Sequence, residues 1–212
     1  MVNFQVYLSH RKPKLVSKLP ENVEQVSGIQ SINGNSILLQ DGMDLCANAL
    51  LFCTGYSYKY PFLEKSKLIK ISEDERVMSL YYHMIHTAYP TLSFIGIPQF
   101  ICPFPFFDCQ TRFILATLDG SLELPSREDM DAVEEQDFKK RLESGMPARH
   151  CHRMFERQSE YLDMLADEAK FPRLKPVICK LFNSVYSEGR YNLTDFRMIN
   201  YAFTDDFTFQ KV

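Results

Sequence analysis

The stretch at residues 50–56, LLFCTGY, is a continuous apolar run that ends in a threonine and a glycine. An apolar run of this kind at residues 49–53 predicts a strand that is buried on both faces, as in a parallel sheet. Gly55 permits a positive φ or the close approach of a ligand, and Thr54 offers a hydroxyl at the strand end. Ligands of open α/β sheets bind outside the carboxyl ends of the strands, so the stretch predicts either a cofactor site or a buried strand followed by an ordinary turn.

The residues before this run predict a meander that leads into it. Residues 23–32 and 36–40 are strand-like, and the Asn33-Gly34 pair between them favours a type I′ hairpin turn. A further short apolar strand is predicted at residues 4–8. Because a core strand so close to the first residue has no preceding partner, we expect the sequence to begin inside a larger domain.

The second part of the chain predicts two strands and four helices. The strands are expected at residues 80–87 and 92–97, on either side of a Tyr-Pro pair. Asp108 and Ser126 are good N-caps, and Ser126 with Asp129 has the spacing of a capping box. The helices are expected to begin at Asp108 and Ser126 and to cover residues 149–170 and 176–187.

Composition excludes several classes of protein. The 212 residues are 45% hydrophobic and 24% charged, as in a globular protein, and the net charge of -3 argues against a nucleic-acid binder. The six cysteines include no C-x-x-C pair, so a structural zinc site is not expected. Neither a secretory leader nor an apolar stretch of ~18 residues is recognised, which predicts reduced thiols and no membrane span. We expect a cytoplasmic protein, with peripheral association at the endoplasmic reticulum as the alternative.

The histidines are not expected to bind metal. His150 and His152 flank a cysteine but lack a second pair of ligands, so a solvated helix start is the simpler interpretation. His83 and His86 fall in the predicted strand at residues 80–87, where a spacing of three places them on opposite faces. The acidic stretch at residues 128–135 is interpreted as a solvated helix face.

Two further segments could contact a nucleotide cofactor. In VYLSHRKPK, residues 6–14, a basic group just past a strand could meet a 2′-phosphate, although a solvated basic turn is the more frequent use of such a pattern. In FIGIPQF and PFFDCQTRF, within residues 94–113, a strand and a proline-rich loop precede the helix predicted at Asp108. The N–H groups of its first turn suit a flavin edge or an anion; the alternative is that Asp108 only caps the helix.

Taken in order, these segments resemble the C-terminal half of the flavin-containing monooxygenases, over residues 4–190. LLFCTGY resembles the F-A-T-G-Y signature of that family, with Cys53 where alanine is usual. VYLSHR, YYHMIHTAYPTLSFIGIPQ and FFDCQTRFILATLDGSLELPS resemble its other segments in the same order. The insect-type soluble members are the most similar, because no hydrophobic C-terminal anchor is recognised.

The resemblance implies FAD and NADPH as cofactors and a C4a-hydroperoxyflavin that passes one oxygen to a soft nitrogen or sulfur atom of a small amine or thioether. It implies that Ser9, Arg11 and Lys12 hold the NADP 2′-phosphate and that Thr54 and Gly55 lie along the cofactor cleft between domains. It implies that the flavin is approached by Gln99, Asp108, Gln110 and Thr111.

The implied fold is α/β, a partial flavoprotein fold with two dinucleotide-binding domains. Residues 1–55 would be the C-terminal part of the NADPH-binding domain, and residues 56–212 that of the FAD-binding domain with a helical extension. The sequence contains no G-x-G-x-x-G loop, so we expect a truncated chain that is inactive alone. The alternatives are a non-catalytic fragment that pairs with a full-length homologue, or a fragment of another two-dinucleotide flavoprotein such as a disulfide reductase. A homo-oligomer is left open.

Overall fold

The structure is a computed structural model that describes residues 4–10 and 13–212. The chain divides into two compact units. Unit 1 comprises Met1–Gly55, Ser184–Ala202 and Lys211–Val212, and unit 2 comprises Tyr56–Asn183 and Phe203–Gln210. The mixed α/β class is confirmed, whereas the assignment of the units to NADPH- and FAD-binding domains stays a prediction.

Unit 1 contains two small sheets. Strand β1 (Val6–Ser9) pairs in parallel with β2 (Val23–Val26). Strands β3 (Ile29–Asn33), β4 (Ser36–Leu39) and β5 (Asp44–Cys46) form an antiparallel sheet in that order. The buried side chains of this sheet region are Val26, Ile37 and Leu39. The segment expected to be one strand at residues 23–32 is therefore two strands.

The hairpin between β3 and β4 is confirmed, but its turn type was predicted wrongly. Asn33 pairs with Ser36, so the central residues of the turn are Gly34 and Asn35. Gly34 has a φ of +60°, whereas Asn35 is not among the residues with positive φ. A single positive φ at the first central position fits a type II′ turn, because a type I′ turn needs positive φ at both.

The strand predicted at residues 49–53 is not formed. Leu51 and Phe52 are 85% and 73% exposed, and the residues around them have no regular secondary structure. A strand buried on both faces needs neighbours that pair with its backbone and cover its side chains. None of the strands in the described residues pairs with this segment, so no sheet covers its apolar side chains.

Unit 2 is built mainly from helices around one core. Helices α1 (Pro103–Leu118), α2 (Arg127–Glu143) and α3 (Arg157–Glu168) lie wholly within it, and α4 (Pro176–Tyr191) begins in it. Helix α1 packs on α3, and fully buried side chains come from α1, α3 and the segment before α1: Phe106, Phe113, Leu162, Leu165, Met84 and Ile85. Short 3₁₀ turns occur at Glu64–Ser66, Ala148–His150 and Phe196–Met198, and strands β8 (Tyr201–Phe203) and β9 (Phe209–Lys211) lie near the C-terminus.

Residues 80–87 form a tight hairpin rather than the single strand that was predicted. Its strands are β6 (Leu80–Tyr81) and β7 (Ile85–His86), joined through Tyr82 and His83 at φ values of 50° and 58°. The segment predicted as a strand at residues 92–97 contributes only an isolated bridge, between Ser93 and Ile85. His83 is therefore a turn residue, and the expectation that it shares a strand with His86 was wrong.

Helix α1 begins five residues before the predicted start at Asp108. Pro103 occupies the first helical position and Pro105 the third. Proline is compatible with these positions because its fixed φ suits a helix and the first N–H groups have no intrahelical acceptor. Pro103 and Pro105, which were assigned to a proline-rich loop, therefore belong to the first turn, and Asp108 lies in the second turn.

The other helices show how local signals compare with the structure. The Ser126 cap of α2 is confirmed, since its hydroxyl accepts a hydrogen bond from the Asp129 N–H at 3.1 Å. Helix α4 begins at the predicted residue but continues to Tyr191. The helix predicted at residues 149–170 was wrong in its first half, because α3 begins only at Arg157 and Phe155 has a φ of 48°.

Candidate functional site

The candidate residues of unit 1 lie at the end of β1 and in the exposed segment after β5. The Ser9 hydroxyl donates a hydrogen bond to the Ser27 carbonyl at 2.8 Å. Arg11 and Lys12 lie outside the described residues. Thr54 is exposed, and Gly55 has a φ of +88°, a conformation that favours glycine.

In unit 2, Gln99 is held by a half-buried tyrosine, Tyr58. The Gln99 amide nitrogen donates to the Tyr58 hydroxyl at 2.9 Å, and that hydroxyl donates to the Ile97 carbonyl at 2.6 Å. Burial raises the pKa of Tyr58 to about 12, so the hydroxyl keeps its proton at neutral pH. The side-chain oxygen of Gln99 accepts no hydrogen bond from the described residues, so it can accept one from a ligand.

Gln110 fixes the loop between Gly96 and α1 from inside the protein. Its oxygen accepts from the Gly96 N–H, and its nitrogen donates to the Tyr161 hydroxyl, both at 3.0 Å. Tyr161 in turn donates to the Tyr82 carbonyl at 2.8 Å. Gln110 is fully buried, so it acts on any cofactor only through the loop that it holds.

Gly96 fits this loop for two reasons. Its φ is +85°, and a Cβ at this position would lie 3.0 Å from Cε1 of Phe107 on α1. The loop therefore lies directly against the first turns of the helix, and a side chain at residue 96 would push the two apart.

The first turn of α1 offers fewer donors than the sequence predicted. Pro103 and Pro105 have no N–H, and the N–H of Phe106 donates to the Cys102 carbonyl. Asp108 is exposed and forms an ion pair with Arg112 at 2.8 Å. The Thr111 hydroxyl donates to the Phe107 carbonyl at 2.7 Å. We expected free N–H groups at a helix start at Asp108. The helix starts at Pro103 instead, and its first turn has few free N–H donors.

A buried polar cluster, formed by His83, Asp137, Arg141 and His152, was missed by the sequence analysis. His152 is 6% exposed rather than part of a solvated helix start. Its Nδ1 lies 3.0 Å from Nδ1 of His83, whose Nε2 lies 3.2 Å from Asp137 Oδ2. Arg141 Nε donates to the same Asp137 oxygen at 2.6 Å. The members come from three separate segments, the hairpin, α2 and the chain before α3, so no single local pattern could have identified the cluster.

A single backbone donor determines the tautomers of both imidazoles. The Val77 N–H donates to His152 Nε2 at 2.9 Å, so the proton of neutral His152 sits on Nδ1. His152 then donates to His83 Nδ1, and the His83 proton must sit on Nε2, where it donates to Asp137. Because the chain starts at a backbone N–H, which cannot accept a proton, it cannot reverse direction and is not a proton relay.

Burial and neighbouring charges shift the pKa values of His152 and Asp137 strongly. Burial, with the nearby His83 and the charges of Arg141 and Arg76, lowers the pKa of His152 to about 2. Burial opposes ionisation of Asp137, but the hydrogen bond from His83 and the charge of Arg141 hold the pKa of that carboxyl well below its usual range. The cluster at neutral pH therefore contains a neutral His152 imidazole near an ionised Asp137 carboxylate.

The acidic stretch at residues 128–135 also differs from the prediction. Arg76, which is buried, pairs with Glu134 at 2.8 Å and with Glu135 at 3.3 Å, and its guanidinium lies 3.8 Å above the Phe138 ring centroid. This face of α2 is therefore partly an ion-pair surface rather than wholly solvated.

The cluster borders a cavity of 510 Å³. Its walls come from the segment before β6, the hairpin, helices α2 and α3, and the chain between these helices. Its lining side chains include Arg76, Leu80, His83, Val133, Asp137, Arg141, Cys151, His152, Met154, Glu160 and Met164. Burial raises the pKa of Cys151 to about 11, so this thiol is protonated and a weak nucleophile at neutral pH.

Metal and membrane sites were also considered. Within residues 4–10 and 13–212, no group of three or more histidine, cysteine, aspartate or glutamate side chains could hold a metal ion. Among the same residues, none of the helices is long and apolar enough to cross a membrane.

The sequence matches the family described as "FMO-like: Flavin-binding monooxygenase-like" over residues 13–186. Flavin-containing monooxygenase FMO GS-OX-like 7 of Arabidopsis thaliana is 34% identical over 194 residues, covering 87% of this chain and 41% of the relative. FMO GS-OX-like 3 of the same plant is 39% identical over 145 residues, covering 67% of this chain and 32% of the relative. The similarity to insect-type members stays a prediction.

Two solved structures share the fold. S-allyl-L-cysteine S-oxygenase from Allium sativum has a TM-score of 0.75 and 31% identity, covering 88% of this chain and 43% of that chain. Tmm from Pelagibacter sp. strain HTCC7211 has a TM-score of 0.78 and 21% identity, covering 98% of this chain and 46% of that chain, and shows the fold alone.

The matches cover most of this chain but less than half of each relative. The chain spans about two fifths of the length of the curated relative GS-OX-like 7. FAD and NADPH are the cofactors that the matched family implies. The family match covers most of the sequence, and the chain therefore belongs to the flavin-binding monooxygenase-like family.

Proposed function

We propose that the candidate residues described above form part of the cofactor-binding region of an FAD- and NADPH-dependent monooxygenase. When bound, FAD supplies the redox chemistry by which one oxygen atom of O₂ reaches a soft nitrogen or sulfur atom of a small amine or thioether. The observation that carries the proposal is the Gln99 amide, which is fixed by Tyr58 while its oxygen stays available to a ligand. The family match supports the same conclusion.

Each candidate in unit 2 has a proposed task in this function. Gln99 would hold the flavin edge through its side-chain oxygen, and Tyr58 positions Gln99. Gln110 keeps the preceding loop at Gly96 in place. Asp108 and Thr111 would lie near the flavin on the second and third turns of α1.

The candidates of unit 1 are proposed to bind NADP. Arg11 and Lys12 supply the positive charge that a 2′-phosphate requires, and Ser9 supplies a hydroxyl that can still accept a hydrogen bond. Thr54 and Gly55 are proposed to contact the cofactor through the exposed backbone that follows Cys53.

A first experiment measures the visible absorbance of the 212-residue chain after incubation with FAD and removal of free ligand. We expect no retained flavin, because the sequence has no G-x-G-x-x-G loop to hold a pyrophosphate. In a chimera in which this chain replaces the matched segment of GS-OX-like 7, we expect retained flavin and NADPH oxidation. A folded chimera that retains no flavin would contradict the proposal.

A second experiment tests Gln99 within that chimera. We expect Gln99→Ala to weaken FAD binding by about tenfold, since one hydrogen bond to a bound group contributes roughly 0.5–1.5 kcal/mol. Gln30→Ala, an exposed glutamine on β3, is the matched control and is expected to leave FAD binding unchanged. Equal effects of the two substitutions would remove Gln99 from the site.

A second candidate function is pairing with a full-length homologue. It is favoured by the exposure of Leu51 and Phe52, since adjacent large apolar side chains mark surfaces that other polypeptides cover. Co-purification of the chain with GS-OX-like 7 would support this function. A monomer that does not bind the relative at micromolar concentration would exclude it.

A further inference from the structure

We propose that the cavity beside α2 and α3 is a binding site for a small amphipathic carboxylate, which Arg141 binds through Nη2. This inference goes beyond the proposed cofactor site. The cavity lies in unit 2, and His152 and Asp137 are among its lining residues. None of the residues proposed to contact FAD or NADP lines it.

One amino group of Arg141 lacks a good acceptor. Nη2 of Arg141 lies 3.3 Å from His83 Nε2, but that nitrogen carries a proton in the tautomer that the Val77 N–H imposes. Two donors therefore face each other, and the only other hydrogen-bond contact of Nη2 among the described residues is with the weakly accepting Met154 sulfur, at 3.7 Å. Because Arg141 is 4% exposed, an amino group without a good acceptor is costly, and a ligand oxygen in the cavity would supply one.

Arg76 supplies a second buried guanidinium in the cavity wall. Its hydrogen bonds to described side chains both leave from Nη2, toward Glu134 and Glu135. Its Nε and Nη1 groups make no hydrogen bond to another described side chain, so Arg76 adds a donor surface next to that of Arg141. Two guanidinium groups on one cavity favour an anionic oxygen over a cationic group.

The charged side chains of the lining that have no ion-pair partner among the described residues are mostly basic. Asp137 is paired with Arg141, and both Glu134 and Glu135 are paired with Arg76. Of the other charged lining residues, Lys140 and Arg157 are basic and Glu160 is acidic. These side chains favour an anionic ligand over a cationic one.

Part of the cavity wall is apolar and suits a hydrophobic body on the ligand. Leu80, Val133, Met154 and Met164 line the cavity together with its polar groups. A volume of 510 Å³ falls in the range of about 300–1,000 Å³ that small-molecule pockets occupy. A carboxylate on an aromatic or aliphatic body fits both the donors and these apolar side chains.

The test uses the 212-residue chain labelled with ¹³C at the methionine methyl groups, and 4-phenylbutyrate as the probe. We expect the methyl resonances of Met154 and Met164 to shift and saturate with a Kd on the order of 1 mM, as for a ligand of this size. Met198, which is 79% exposed in unit 1, is the internal control and is expected to stay in place. The matched amine, 4-phenylbutylamine, is expected to bind at least tenfold more weakly.

Two variants separate the donor from the cavity. Arg141→Gln is expected to weaken 4-phenylbutyrate binding at least tenfold, because the guanidinium is lost. Arg141 also donates to the Arg153 carbonyl, so this variant is used only if its circular dichroism is unchanged. Val133→Trp fills the cavity while leaving Arg141 in place, and is expected to abolish the shifts. Equal binding of the amine and the carboxylate, no shift at all, or unchanged binding in Val133→Trp would overturn the proposal.

Discussion

Replacing His152 with glutamine is expected to change how stability depends on pH. His152 has a pKa of about 2 in the folded chain and of 6.5 when exposed. Between these values the unfolded chain binds one more proton, so the free energy of unfolding falls as the pH falls. Well below pH 6.5 each pH unit costs about 1.4 kcal/mol, and because the unfolded imidazole is only half protonated at pH 6.5, the loss between pH 6.5 and pH 4.5 is about 2.3 kcal/mol. The glutamine variant lacks this contribution.

The same substitution has an opposite effect at neutral pH. Glutamine can still accept a hydrogen bond from the Val77 N–H, as His152 Nε2 does, but it loses the Nδ1 donor to His83. We expect the variant to be about 1–2 kcal/mol less stable at pH 7. The two stability curves should therefore approach each other below pH 6.5 and cross before pH 4.5.

The assay is urea unfolding followed by tyrosine fluorescence at several pH values between 7 and 4.5. The difference between the wild-type chain and the variant reports on His152 together with its hydrogen bond to His83, because both chains share every other titrating group. Hydrogen exchange of the Val77 amide gives a second, local readout, since this N–H is bonded to the imidazole itself. Parallel stability curves throughout this range would refute the assignment of a neutral, buried His152.

Three further substitutions test other features. Gln110→Leu leaves the Gly96 N–H without its acceptor and removes the donor to the Tyr161 hydroxyl, which keeps only its bond to the Tyr82 carbonyl, so we expect a loss of about 2–3 kcal/mol in chemical unfolding; a loss below 1 kcal/mol would contradict these contacts. Ser126→Ala removes the cap of α2 and should cost about 1 kcal/mol, measured by thermal unfolding. Leu51→Ser should change stability by less than about 0.5 kcal/mol but reduce self-association in analytical ultracentrifugation, since the side chain is exposed.

Features that depend on neighbours in sequence could be predicted. The Ser126 cap and the hairpin near Gly34 follow from local chemistry, and both are present. The start of α1 could not be inferred in the same way, because proline breaks a helix interior yet fits a first turn. Pro103 and Pro105 gave the same signal for either outcome, and only the packing of Phe106 in the core distinguishes them.

Features that depend on partners distant in sequence could not be predicted. An apolar run such as residues 49–53 predicts burial only if other strands pair with it, and the described strands do not. The histidines were judged by their own spacing, whereas His152 is defined by its contacts with Val77 and His83, 75 and 69 residues away. A buried imidazole pair next to a carboxylate has no local signature.

The loop that carries Gln99 is joined by backbone hydrogen bonds to the segment that carries His152. The Gln99 N–H donates to the His152 carbonyl, and the Met154 N–H donates to the Gln99 carbonyl, both at 2.9 Å. Substitutions of side chains leave such backbone bonds intact, but an insertion in either segment would shift the register of both. We therefore expect related sequences to vary in side chains here yet to keep the lengths of the two segments, and to place insertions elsewhere in the chain.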